Sequence, residues 1–97
     1  MIKHIVFWKI KPELDEITTF EEIKSKLEAL QGNIPGLMAI EVGNDISNGP
    51  TSFDMALYSE LEDEQALQTY QVHPLHETVK AYIGSVTIER CVVDYYQ

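Results

Sequence analysis

Ile2-Lys3-His4-Ile5-Val6-Phe7-Trp8-Lys9-Ile10 decides how this chain must fold. In an extended strand, Ile2, His4, Val6, Trp8 and Ile10 share one side and Lys3, Ile5, Phe7 and Lys9 the other. The first side is apolar apart from His4, and the second is apolar in its middle. Such a strand needs cover on both faces, so one layer of helices with water behind it does not suffice. Lys11-Pro12 ends the strand.

Beyond it, Thr18 and Thr19 are each followed three residues later by Glu21 and Glu22, two overlapping capping-box signals. Phe20, Ile23, Leu27 and Leu30 then recur at helical spacing, which predicts a first helix from about Thr19 to Leu30. Gly32-Asn33 stops it and Ile34-Pro35-Gly36 turns the chain. Leu37 to Asn44 reads as a second strand and Phe53 to Leu61 as a third, separated by a polar loop. Asp63 caps a second helix with Ala66, Leu67 and Tyr70 inward. Pro74 breaks that helix and suits the first position of a new one, with His73 as its N-cap and Gly84 as its end. Val86 to Tyr95 is the last strand, again apolar on both sides.

The order β-α-β-β-α-β, with its second helix broken, predicts an α+β fold. It is a ferredoxin-like protomer with a four-stranded antiparallel sheet and its helices on one face. No element remains to cover the other face. A second copy, sheet against sheet, is the economical cover, giving a homodimeric α/β barrel. The Tyr95-Tyr96-Gln97 end is expected to pack on that neighbour. Ninety-seven residues make one domain, spanning 1–97, whose own core is thin.

The composition is globular, 44% hydrophobic and 24% charged, with 7 basic against 16 acidic residues and a net charge of −9. Such a surface repels phosphate backbones and anionic lipid, so neither nucleic acid nor membrane is an expected partner. No apolar run approaches the length of a membrane span, and no cationic leader opens the chain; a cytoplasmic protein is expected. The single cysteine, Cys91, lies in an apolar run and reads as a small buried hydrophobe without a redox role. A Gly-rich phosphate loop, a nucleophile elbow and a dinucleotide fingerprint are all missing, so no cofactor is implied.

Chemistry concentrates in Tyr70-Gln71-Val72-His73-Pro74-Leu75-His76, which holds two of the three histidines. His76, Val79 and Ile83 follow an inward-facing spacing, and a neutral imidazole there can take a proton at neutral pH. The competing reading is a packed core histidine. Tyr70 could hold a carbonyl or enolate oxygen in a dry pocket, or be an amphipathic core residue. His4 shares the inner face of the first strand, either satisfied within the core or acting beside His76 as a second donor. Trp8 and His73 are weaker candidates for ligand contact; core or interface packing competes for Trp8, and a capping or hinge role for His73. The three histidines suggest a metal only if they converge, and no Cys or carboxylate clearly completes such a site, so no metal is expected.

Several of these segments together resemble the stress-responsive dimeric α/β-barrel (Dabb) domain. They are Ile2 to Lys9, Ile34-Pro35-Gly36-Leu37, Val42-Gly43-Asn44, Tyr70 to His76 and Arg90-Cys91-Val92-Val93-Asp94-Tyr95. The resemblance covers almost the whole chain and implies the ferredoxin-like protomer paired through its sheets. A plant cyclase of that family closes a linear polyketide by a cofactor-free aldol reaction. The match implies that its catalytic histidine and supporting tyrosine correspond to His76 and Tyr70, and its strand-one histidine to His4. Helix one and the pocket-side apolar residues differ, so the substrate does not carry over. Three functions stand open: a dimeric module holding a small apolar, oxygen-bearing ligand, a cofactor-free enzyme of the lyase or cyclase type with His76 as base, and an oligomerisation domain without a pocket.

Overall fold

A computed structural model describes all 97 residues. The elements are β1 (Ile2–Ile10), α1 (Glu16–Glu28), β2 (Leu37–Asn44), β3 (Met55–Leu61), α2 (Glu64–Val72), α3 (Pro74–Val86) and β4 (Thr87–Tyr96). The four strands form one antiparallel sheet in the order β2-β3-β1-β4, with β1 and β3 central. This is the ferredoxin-like arrangement, its second helix divided into α2 and α3.

One face of the sheet packs against the helices. Ile2, Val6, Trp8 and Ile10 of β1 and Met55, Leu57 and Leu61 of β3 meet Ile23 and Leu27 of α1, Tyr70 of α2, and Val79 and Ile83 of α3. Only 22 of the 97 residues are buried, so the protomer's own core is thin. On the other face Ile5, Phe7, Val93 and Tyr95 lie outside the buried core, and Phe7, Val93 and Tyr95 are exposed. Cys91 lies on this open face opposite Phe7, exposed rather than buried as its apolar neighbours suggested. Among these side chains Lys3 donates to Glu60 at 2.7 Å and to Tyr58. The Glu60 partner holds the Lys3 ammonium pKa up at about 12, so this cluster is an internally satisfied ion pair. The Tyr96 hydroxyl, for its part, donates to Glu64 of its own chain.

Beyond shifts of one or two residues at the end of α1 and at both ends of β4, boundaries differ from the pattern at three places. α1 starts at Glu16 because Asp15, not a threonine, caps it, accepting from Thr18 N at 3.0 Å; Thr19 then turns inward beside Ile23. Phe53 lies outside the β3 ladder, since Asp54 folds back to accept from Ile10 N at 2.7 Å. α3 runs through Gly84 to Val86, so Gly84 does not end the helix. A helix-interior glycine costs about 1 kcal/mol relative to alanine, less than the packing of Ile83 returns. No helix is long and apolar enough to cross a membrane.

Candidate functional site

The hinge between α2 and α3 is set by local chemistry. Asp63 caps α2, its carboxylate accepting from Ala66 N at 2.8 Å, which starts the turn that carries Ala66 and Tyr70 inward. Gly36, at φ +84°, lets α2 come close: a Cβ there would sit 2.5 Å from the Ala66 Cβ. His73 is extended, as a residue before proline prefers, and its Nδ1 accepts from Leu75 N at 3.2 Å. Pro74 then opens α3, and His76, Val79 and Ile83 face the sheet.

These elements place three rings together. Tyr70 and His76 stack with centroids 4.1 Å apart and planes 28° from parallel, and His4 meets Tyr70 edge-on at 5.9 Å. Tyr70 is fully buried and its hydroxyl has no hydrogen-bond partner; His76 Nδ1 is likewise buried and unpartnered. Burial pushes the Tyr70 phenol far above its ordinary range, against a weaker pull from the Arg90 charge, so it stays protonated. Burial holds the His76 ring below the usual imidazole range. The Gln71 carbonyl opposes that shift, Lys80 and His4 add to it, and Glu77 opposes it again. His76 is therefore neutral at neutral pH.

His4 is held differently. Full-length antiparallel pairing sets it opposite Asp94, and the Asp94 carboxylate accepts from His4 Nδ1. A carboxylate can only accept, so the proton sits on Nδ1 and the ring is fixed in one orientation. The His4 main-chain carbonyl also accepts from the fully buried Ser59 hydroxyl at 2.9 Å.

A cavity of about 360 Å³ opens between β1, β4 and α3, within the range of small-molecule sites. Its wall includes His4, His76 and Trp8, with Val6, Leu27, Leu57 and Ile83 as apolar surface and Lys80 and Arg90 as cations. Of the expected residues, His4, His76 and Trp8 reach it. Tyr70 supports both imidazoles from behind and is not part of the wall; His73 is spent on the α3 cap. The pattern reading missed Asp94, Arg90 and Lys80. Pairing β1 with β4 end to end would have found the first two, and one helical turn from His76 the third. A wider hollow of about 490 Å³ lies where Phe7 and Phe53 border the loop after β2. Asp45, the one titratable group there, is already engaged by Ser47 and Asn48.

The family model of the stress responsive A/B barrel domain matches residues 2–97. This chain belongs to that family. An uncharacterized protein of Streptomyces coelicolor is 33% identical over 79 residues, covering 79% of this chain and 80% of that protein. Among solved structures, a dimeric ferredoxin-like protein of unknown function from Bacteroides fragilis superposes with a TM-score of 0.89 at 28% identity, covering 99% of this chain and 95% of its own. Another dimeric ferredoxin-like protein, from Thermobifida fusca, gives 0.88 at 25% identity, with 99% and 90% coverage. Both of these ferredoxin-like neighbours are dimeric.

Proposed function

We propose that this A/B barrel protein is a homodimer, joined through its open sheet faces, whose cavity binds a small, largely apolar molecule carrying an oxygen function. The observation that carries the reading is the cavity itself, where two imidazoles held by different means border one apolar space. His4 is oriented by Asp94 and His76 is kept neutral by burial. The internally paired Lys3, Tyr58 and Glu60 support the dimer, since a satisfied cluster can be covered at little cost. A thermal-shift screen with small ketones, aldehydes and phenols tests the cavity. Gly84 lies on its wall and a Cβ there would meet nothing within 4 Å, so Gly84→Phe adds a ring at the rim of the cavity without displacing a neighbour. Stabilising ligands for the wild type and none for a folded Gly84→Phe support the reading; a flat screen, or equal binding by the variant, contradicts it.

A second reading is favoured by the neutral His76 ring on the cavity wall. In it His76 takes a proton from the carbon next to a carbonyl and the electron pair passes to the carbonyl oxygen; the imidazolium exchanges its proton with solvent and delivers one back to that carbon as the carbonyl re-forms. The developing charge on the oxygen falls to the wall cations Lys80 and Arg90, since His4 has its Nδ1 proton committed to Asp94 and the sealed Tyr70 hydroxyl is not placed to reach it. Exchange of that carbon-bound hydrogen for solvent deuterium, followed by NMR, should occur with wild type and stop with His76→Gln. Exchange that survives the substitution contradicts this reading.

A further inference from the structure

Arg90 is the chain's only arginine, in a sequence with sixteen acidic residues. Four of the lysines are paired: Lys3 with Glu60, Lys9 with Glu89, Lys24 with Glu28 and Lys80 with Glu77. Arg90 has no carboxylate within ion-pair distance, although its strand carries Glu89 and Asp94. Glu89 is drawn to Lys9 and Asp94 to His4. The register explains the direction of its side chain. Arg90 pairs with Trp8, which puts it on the helix-side face with the cavity, and it forms part of that wall.

No aspartate or glutamate lines the cavity. Its charged and titratable members are Arg90, Lys80 and the two histidines, against apolar surface from Val6, Trp8 and neighbouring residues. Lys80 is offset by Glu77, so in a molecule of net charge −9 Arg90 is left as one positive charge without an ion-pair partner at an apolar hollow. A planar guanidinium matches a carboxylate with two parallel N–H donors, a charge-assisted pairing that is stronger than a neutral hydrogen bond and specific in geometry. Two further polar atoms, the Tyr70 hydroxyl and His76 Nδ1, are buried beside the cavity without partners.

Resting on the ligand-binding reading just given, we infer that the ligand is a small apolar carboxylic acid. Its carboxylate sits on Arg90 at the open edge of the cavity, and its hydrocarbon body lies against Trp8, Val6 and Ile83 toward His4 and His76. Lys80, already paired with Glu77, adds long-range attraction rather than the specific contact. A phosphate has the charge but no body to fill the apolar part.

The test compares acids with uncharged analogues of the same shape. Dissociation constants for phenylacetate and hexanoate, and for phenylacetamide and hexanamide, are measured by calorimetry at pH 7.5 and low salt. Wild type should prefer each acid about tenfold or more, the size expected of one charge-assisted contact. Arg90→Gln should bring the ratio close to one, and Arg90→Lys should restore part of it. Arg90 is exposed, so both variants should fold, which circular dichroism checks. Equal affinity of wild type for acid and amide overturns the carboxylate inference and leaves the cavity reading in place. No binding of either class overturns both. Inorganic phosphate binding as tightly as the acids overturns the claim that the apolar body matters.

Discussion

At the scale of single residues, the site keeps polar atoms where packing alone would not. The Tyr70 hydroxyl and His76 Nδ1 are buried with no partner, and each such atom costs about 1–3 kcal/mol relative to a satisfied one. Tyr70→Phe removes one of them and leaves the ring stack intact. Its urea midpoint should match wild type or rise, by up to about 1.5 kcal/mol of stability; a loss above about 1 kcal/mol contradicts the assignment. His76 also fixes a pH dependence. An unfolded chain protonates this ring around its ordinary value of about 6.5, while the folded ring resists because burial disfavours the charge. The unfolded state then binds more protons, so stability rises with pH across this window. The contribution is complete above about 6.5 and is lost as pH falls to the folded ring's lower value. Urea unfolding at pH 7.5 and 5.5 should show a larger loss for wild type than for His76→Leu, His4 and His73 being common to both. Equal losses would mean that the folded ring titrates normally. His4 and His76 were legible in the sequence as inward-facing positions, but Asp94 was not, since its partner lies ninety residues away across a ladder.

At the scale of elements, the close approach of α2 depends on Gly36. Alanine there meets both a left-handed φ and the Ala66 side chain, and Gly36→Ala should cost about 2–4 kcal/mol. Gly32→Ala has a similar φ of +86° but open space around it, and should cost only about 1–2 kcal/mol. Chemical denaturation of the two variants checks the difference, and equal losses would contradict the contact. The strands and the break at Pro74 were readable because alternation and a missing N–H are local signals. The start of α1 was not, because Asp15, Thr18 and Thr19 all offer capping oxygens and the choice falls to the packing of Thr19 and Ile23. Gly84 misled for a related reason: glycine is a stop signal only when the following residues leave the core, and Val86 still packs against it.

At the scale of the whole molecule, two faces of one sheet take different work. The helix side holds the cavity, and the open side carries Ile5, Phe7, Val93 and Tyr95 with nothing from the chain to cover them. Light scattering coupled to gel filtration should give twice the 11.1 kDa chain mass for wild type and the single mass for Val93→Lys; a monomeric wild type contradicts the barrel. The two-sided pattern of β1 made this face visible in the sequence, whereas Cys91 hid there because an apolar run does not say whether its cover comes from its own chain. The central claim is that His4 and His76 border one ligand-binding space while His73 stands outside it. Long-range ¹H–¹⁵N NMR of the three imidazoles during a titration with phenylacetate tests this most directly. The His4 and His76 ring signals should shift along one saturation curve while His73 stays fixed. Three rings unmoved by the ligand, or His73 moving with the others, would contradict it.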